Sequence, residues 1–149
     1  MPSIQQPEID ILVSLLLAAL FGGLIGLERE IHRRPAGLRT NMLVCIGACM
    51  FSLIALTGFA NLDQTSRIIA NVLVGIGFLG AGAVMKDEMT VHGLTTAATI
   101  WTVAALGVAL ALKLYFLAVS AEVIILLTLF LLRRFEKRYA LRPPDKPGA

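Results

Sequence analysis

Residues 22–40, GGLIGLEREIHRRPAGLRT, decide how the whole chain is read. The stretch opens as apolar helix spaced by Gly22 and Gly26. It closes on a knot of charge: Glu28, Arg29, Glu30, Arg33, Arg34 and Arg39, with His32 as a seventh when protonated. Small residues where a helix packs on its neighbours, then basic residues where it meets water, mark a helix leaving a bilayer.

Working outward, the apolar residues fall into five runs: 11–27, 41–60, 68–85, 94–112 and 115–132. Each holds 17 to 20 residues, enough at ~1.5 Å per residue to cross most or all of a hydrocarbon core of about 30 Å. The composition agrees: 57% hydrophobic and 15% charged, against roughly 45–50% and 25% in soluble domains. The expected fold is therefore an all-α, multi-pass integral membrane protein with five transmembrane helices. Residues 1–10 form an outer N-terminal end, 11–132 the transmembrane domain, and 133–149 a basic cytoplasmic tail.

The first run is not read as a cleaved signal, because no Lys or Arg precedes Arg29 and the basic cluster follows the apolar run. It is a retained helix with its N-terminus outside. In that orientation eleven Lys and Arg residues lie in cytoplasmic segments, and only Arg67 and Lys113 lie outside. This positive-inside bias puts the C-terminus in the cytoplasm. The tail can touch anionic lipid headgroups. Nucleic acid is not an expected partner, since no aromatic interleaving or binding motif accompanies the charge.

Ala18, Gly22 and Gly26 form a ridge at four-residue steps for close helix approach. The third run carries Gly75, Gly77, Gly80 and Gly82 within GIGFLGAG. With no preceding strand and no Lys-Ser/Thr ending, these glycines read as helix packing, or as a loosened helix beside a cavity, and not as a nucleotide loop. Cys45 and Cys49, one turn apart, read as small packing residues. At an offset of 56 residues Gly26 aligns with Gly82, and Gly37-Leu38-Arg39-Thr40 with Gly93-Leu94-Thr95-Thr96. This spacing suggests two parallel two-helix repeats plus one added helix.

Three intramembrane polar residues stand out: Arg67, Asn71 and Glu122. Ionisable groups at such depth are costly and face protein or water. On the cytoplasmic side, Glu28, Glu30 and His32 in one loop and Asp87, Glu88 and His92 in another are candidate ligands for a hard divalent ion such as magnesium. Ion pairing with Arg29, Arg33, Arg34 and Lys86 is the stronger reading of the same residues. No Ser-His-Asp set, HExxH or paired-acid frame is present, so no enzyme is expected.

At GGLIGLEREIHRRPAGLRTNMLV, and again at GIGFLGAGAVMKDEMTVHGLTTAATIWTVAALG, the chain resembles the MgtC/SapB family of bacterial membrane proteins. The resemblance covers roughly residues 10–132 and rests on Gly26, Glu28, Arg29, Gly37, Arg39, Thr40, Gly75, Gly77, Gly80, Gly82, Gly93, Thr95, Thr96 and Trp101. It implies five helices in the bacterial inner membrane. It also implies a role in growth at low magnesium and in survival inside host phagocytes, for proteins that are not established magnesium transporters. The partners it implies are the F-type ATP synthase, which one relative restrains, and small membrane peptides. Virulence-type members continue into a soluble C-terminal domain, whereas this sequence stops after its basic tail, as a short form would.

Two functions follow as expectations. The first is a regulatory or interaction protein, homo-oligomeric, whose cytoplasmic polar cluster comprises Glu28, Arg29, Arg39, Thr40, Thr95 and Thr96, with Arg39 paired to Glu28. The rival is an oligomeric transporter or channel for an ion or small solute, with Arg67, Asn71 and Glu122 as stations along the path.

Overall fold

The computed structural model describes residues 7–59, 61–87, 90–132 and 134. Helix α1 spans Glu8–Ile31 and follows Pro7, with Glu8 and Asp10 in its first turn, where carboxylates suit the helix dipole. It continues through the charged residues past 27, so the apolar run ends before the helix does. The chain then turns on two left-handed residues, Arg33 (φ 52°) and Ala36 (φ 57°), and α2 runs over Leu38–Gly58.

Helix α3 spans Leu62–Gly82 and begins six residues before the apolar run does. Asn61 caps it, accepting the Asp63 amide at 2.9 Å, and such a cap sustains a polar first turn and a half that hydropathy alone passes over. Arg67 and Asn71 therefore lie in the second and third turns of α3.

After α3 comes a two-residue antiparallel hairpin, β1 (Met85–Lys86) against β2 (Val91–His92), which the sequence reading did not anticipate. Gly93 at φ 87° then opens α4, Leu94–Ala111. Lys113 (φ 58°) turns the chain into α5, Tyr115–Leu127, which widens into a π-helical segment over Thr128–Leu132. By length and composition α1 to α4 can each cross a membrane. The α-helical part of α5 has 13 residues, about 20 Å, and with its π-helical segment the helix covers the same residues as the expected fifth run.

Helices α1, α2 and α4 form the core, and α4 is its centre, with ten buried residues. Ile25, Cys45, Val103 and Leu110 are fully buried at the junction; Cys45 and Cys49 are free thiols. In lipid the gain comes from close packing, since acyl chains are as apolar as leucine. A Cβ on Gly22 would sit 2.6 Å from the Asn41 carbonyl oxygen, and one on Gly26 would sit 2.7 Å from the Leu38 Cα. Gly107, which the sequence reading passed over, allows α4 the same approach to the Cys45 carbonyl of α2.

Two polar ties fix the far end. Ser14 Oγ donates to the Leu110 carbonyl at 3.2 Å, and Lys113 pairs with Asp10. Helix α3 is different. Among the described residues it buries only Thr65 and Gly80, and Gly75, Gly77 and Gly82 have no neighbour within 4 Å of an added Cβ. Among the described residues, of the third-run glycines only Gly80 meets another helix, at Ala97 of α4.

Candidate functional site

The charged end of α1, the start of α2 and the start of α4 converge on one polar cluster. Arg29 lies on the inward face of α1 together with Gly22, Ile25 and Gly26, and is only 5% exposed. Its Nη2 donates to Thr96 Oγ1 at 2.9 Å, across 67 residues of chain, and Thr96 is 3% exposed. Gly93, at φ 87° and lying against the Ala83 carbonyl just past α3, opens α4 three residues before that hydroxyl. A charge-assisted bond held inside three packed helices is stronger than its surface equivalent.

Around this bond the loop between α1 and α2 is pinned twice. Glu30 reaches forward to accept the Leu38 amide at 3.0 Å, placing a carboxylate at the N-terminus of α2, where the helix dipole favours it. Asn41 is fully buried and reaches back, its Nδ2 donating to the Gly37 carbonyl at 2.9 Å and to that of Ala36. The sequence carries a signal for Asn41, an amide directly after Arg39-Thr40 at the head of the second apolar run, which hydropathy does not separate from that run. Two acceptors, Glu28 Oε2 and Asn41 Oδ1, are buried with no hydrogen-bond partner among the described residues.

Glu28 takes His32 as its partner, with Oε1 2.9 Å from Nδ1, while that nitrogen also lies 2.7 Å from the Glu28 carbonyl oxygen. The expected Glu28–Arg39 pair does not form. Arg39 and Asn41 are two residues apart on a helix, about 200° around its axis, so turning Asn41 inward turns Arg39 out. Arg39 and Thr40 are exposed and line a groove of about 640 Å³ between α2 and α3. Thr95 is exposed, with its carbonyl accepting the Thr99 hydroxyl at 2.8 Å. Of the six expected cluster residues, the structure joins Arg29 directly to Thr96, keeps Glu28 beside them in α1, and sends the other three outward.

The intramembrane residues are not gathered either. Arg67 is exposed, Asn71 opens onto the α2–α3 groove, and Glu122 is 5% exposed in α5 with neither carboxylate oxygen partnered among the described residues. Helix α5 packs on α4 and α1, away from the groove. For the metal candidates, Glu28 and His32 are neighbours on α1, and His92 Nε2 lies 2.9 Å from the Thr90 hydroxyl in the hairpin. Glu30 caps α2, Asp87 uses its amide to bond the Thr90 carbonyl at 2.9 Å, and Glu88 lies outside the described residues. No three His, Cys, Asp or Glu side chains among the described residues are placed to share a metal.

The pattern of this end is matched by a known family: the MgtC family model aligns with residues 15–138. The chain belongs to the MgtC family. Protein MgtC of Salmonella typhimurium strain LT2 is 44% identical over 137 residues, covering 92% of this chain and 58% of the relative. Protein MgtC of Brucella abortus strain 2308 is 45% identical over 117 residues, 78% and 48% of the two chains. "Putative magnesium transporter YhiD" of Escherichia coli strain K12 is 39% identical over 127 residues, 80% and 59%. The chain thus spans about half the length of the curated relatives it matches. No solved structure matches it. The stretch matched to the MgtC family holds every residue of the polar cluster, from Glu28 to Thr96.

Proposed function

We propose that this MgtC-family protein is a regulatory or interaction protein of the bacterial inner membrane, linked to adaptation to low magnesium. Its N-terminus lies outside and its basic end faces the cytoplasm, in keeping with the eleven-to-two distribution of Lys and Arg. The observation that carries this reading is the buried Arg29–Thr96 bond. It makes the basic end a rigid platform closed at its centre, with Glu30 and Arg33 exposed on its surface. A closed centre offers a partner a surface and offers an ion no path between α1, α2 and α4. Magnesium enters through the relatives, one of which bears a transporter's name.

One observation favours the rival reading of an oligomeric transporter: Glu122, whose two carboxylate oxygens are buried without a partner among the described residues. Growth of a bacterium lacking its own family member, in limiting magnesium, separates the two. The wild-type chain is expected to restore growth and Arg33→Glu, at equal membrane level, to lose it, while Glu122→Gln restores it fully. The opposite pattern, with Glu122→Gln inactive and Arg33→Glu active, supports transport instead.

A further inference from the structure

From the α2–α3 groove we infer that a second copy of this chain docks there, α3 against α3, with Asn71 of each copy hydrogen-bonded to the other. The groove follows thirteen residues of α2, from Arg39 to Phe51, roughly 20 Å. Antiparallel to it runs α3, from Ile68 to Leu79. Asn71 is the tenth of 21 residues in α3, near mid-depth for a spanning helix. It is exposed into the groove and makes no hydrogen bond among the described residues. A bare amide at that depth is unfavourable against acyl chains, which offer it nothing.

A second copy brings the same amide to the same depth by symmetry. An amide carries both donor and acceptor, so it pairs with itself across a two-fold axis. The surface around it is spaced for a helix. Asn71, Gly75, Phe78 and Gly82 follow one another at steps of four, three and four, all exposed, Phe78 at 82%. That is the seam of a left-handed helix pair, in which a single polar residue sets register.

Charge agrees with the occupant. Helix α3 has no basic residue in its last turn, so the negative end of its dipole is not offset from within the helix. In a parallel pairing that end of the partner's α3 arrives at the mouth of the groove that the start of α2 shares with the end of α3, where Arg39 stands exposed with no hydrogen bond or ion pair among the described residues. A lipid in the same groove satisfies Arg39 but leaves Asn71 bare.

The test uses the full chain, labelled at its N-terminus and reconstituted in phospholipid vesicles, with association followed by energy transfer over a range of protein-to-lipid ratios. The wild type is expected to self-associate. Asn71→Leu should raise the dissociation constant about tenfold, the scale of the two interhelical hydrogen bonds that a symmetric amide pair exchanges. Asn71→Gln should retain most of the affinity, and Leu20→Ala, on the exposed side of α1, should change nothing. Under oxidation, Phe78→Cys should cross-link two copies and Leu20→Cys should not. A wild type that stays monomeric at every density, whether or not a lipid co-purifies, overturns the inference. So does Asn71→Leu associating as well as wild type, or Leu20→Cys cross-linking as readily as Phe78→Cys.

Discussion

Gly107→Val is expected to be the most damaging single substitution in the transmembrane core. The new Cβ collides with the Cys45 carbonyl and comes 3.0 Å from the Cys49 amide nitrogen. Both are α2 backbone atoms, which no side-chain rotation can move aside. Overpacking of this kind costs typically 1–3 kcal/mol and occasionally more; a backbone obstacle puts Gly107→Val at about 3 kcal/mol or above. At roughly 3 °C per kcal/mol for a chain of this size, melting in detergent should fall by about 10 °C, or folded protein should not be recovered. Gly77→Val is the matched control, since an added Cβ there meets nothing within 4 Å, and its melting point should stay within about 2 °C of wild type after allowing for lost backbone flexibility. Equal melting of the Gly107 variant and wild type would mean that α4 does not approach α2 as described.

Thr96→Val is the second large effect. Valine keeps the volume and removes the hydroxyl that accepts from Arg29 at 2.9 Å. Interhelical hydrogen bonds between neutral groups in membranes average only about 0.6 kcal/mol. A buried guanidinium donor raises the figure to the range of charged hydrogen bonds, about 1.5–3 kcal/mol. The expected result is a fall of about 5 °C or more, restored by Thr96→Ser, which keeps the acceptor. Arg39→Ala supplies the contrast: with Arg39 exposed on the groove, its removal should leave the melting point of the monomer within about 1 °C. If Arg39→Ala is the more destabilising of the two, the assignment of Arg29 to the inside and Arg39 to the outside is wrong.

That exchange shows what the sequence can carry. Both arginines belong to the same charged stretch, and no pattern of hydropathy separates them. What separates them is phase: α1 runs on through Glu28 and Arg29 as helix, which puts Arg29 on the Gly22–Gly26 face, and α2 begins at Leu38, which puts Asn41 inward and Arg39 out. Phase depends on where helices start and end, and those points were set by caps and turns and not by apolar runs. Asn61 started α3 six residues early. The membrane class and the four long spans were legible because twenty apolar residues leave little choice. Gly22 and Gly26 were legible because small residues at four-residue steps have one common use. The glycines of GIGFLGAG looked the same in sequence, yet among the described residues nothing lies within 4 Å of a Cβ added at Gly75, Gly77 or Gly82. Their spacing could say that something packs closely, but not whether the neighbour was an internal helix.

The most direct test of the proposed function is magnesium flux through vesicles reconstituted with the purified chain, measured with an entrapped magnesium indicator across a range of protein densities that includes assembled oligomers. An interaction protein with a closed core predicts flux indistinguishable from empty vesicles, for the wild type and for Glu122→Gln alike. Saturable flux in the wild type that disappears in Glu122→Gln would contradict the account and move the function to transport.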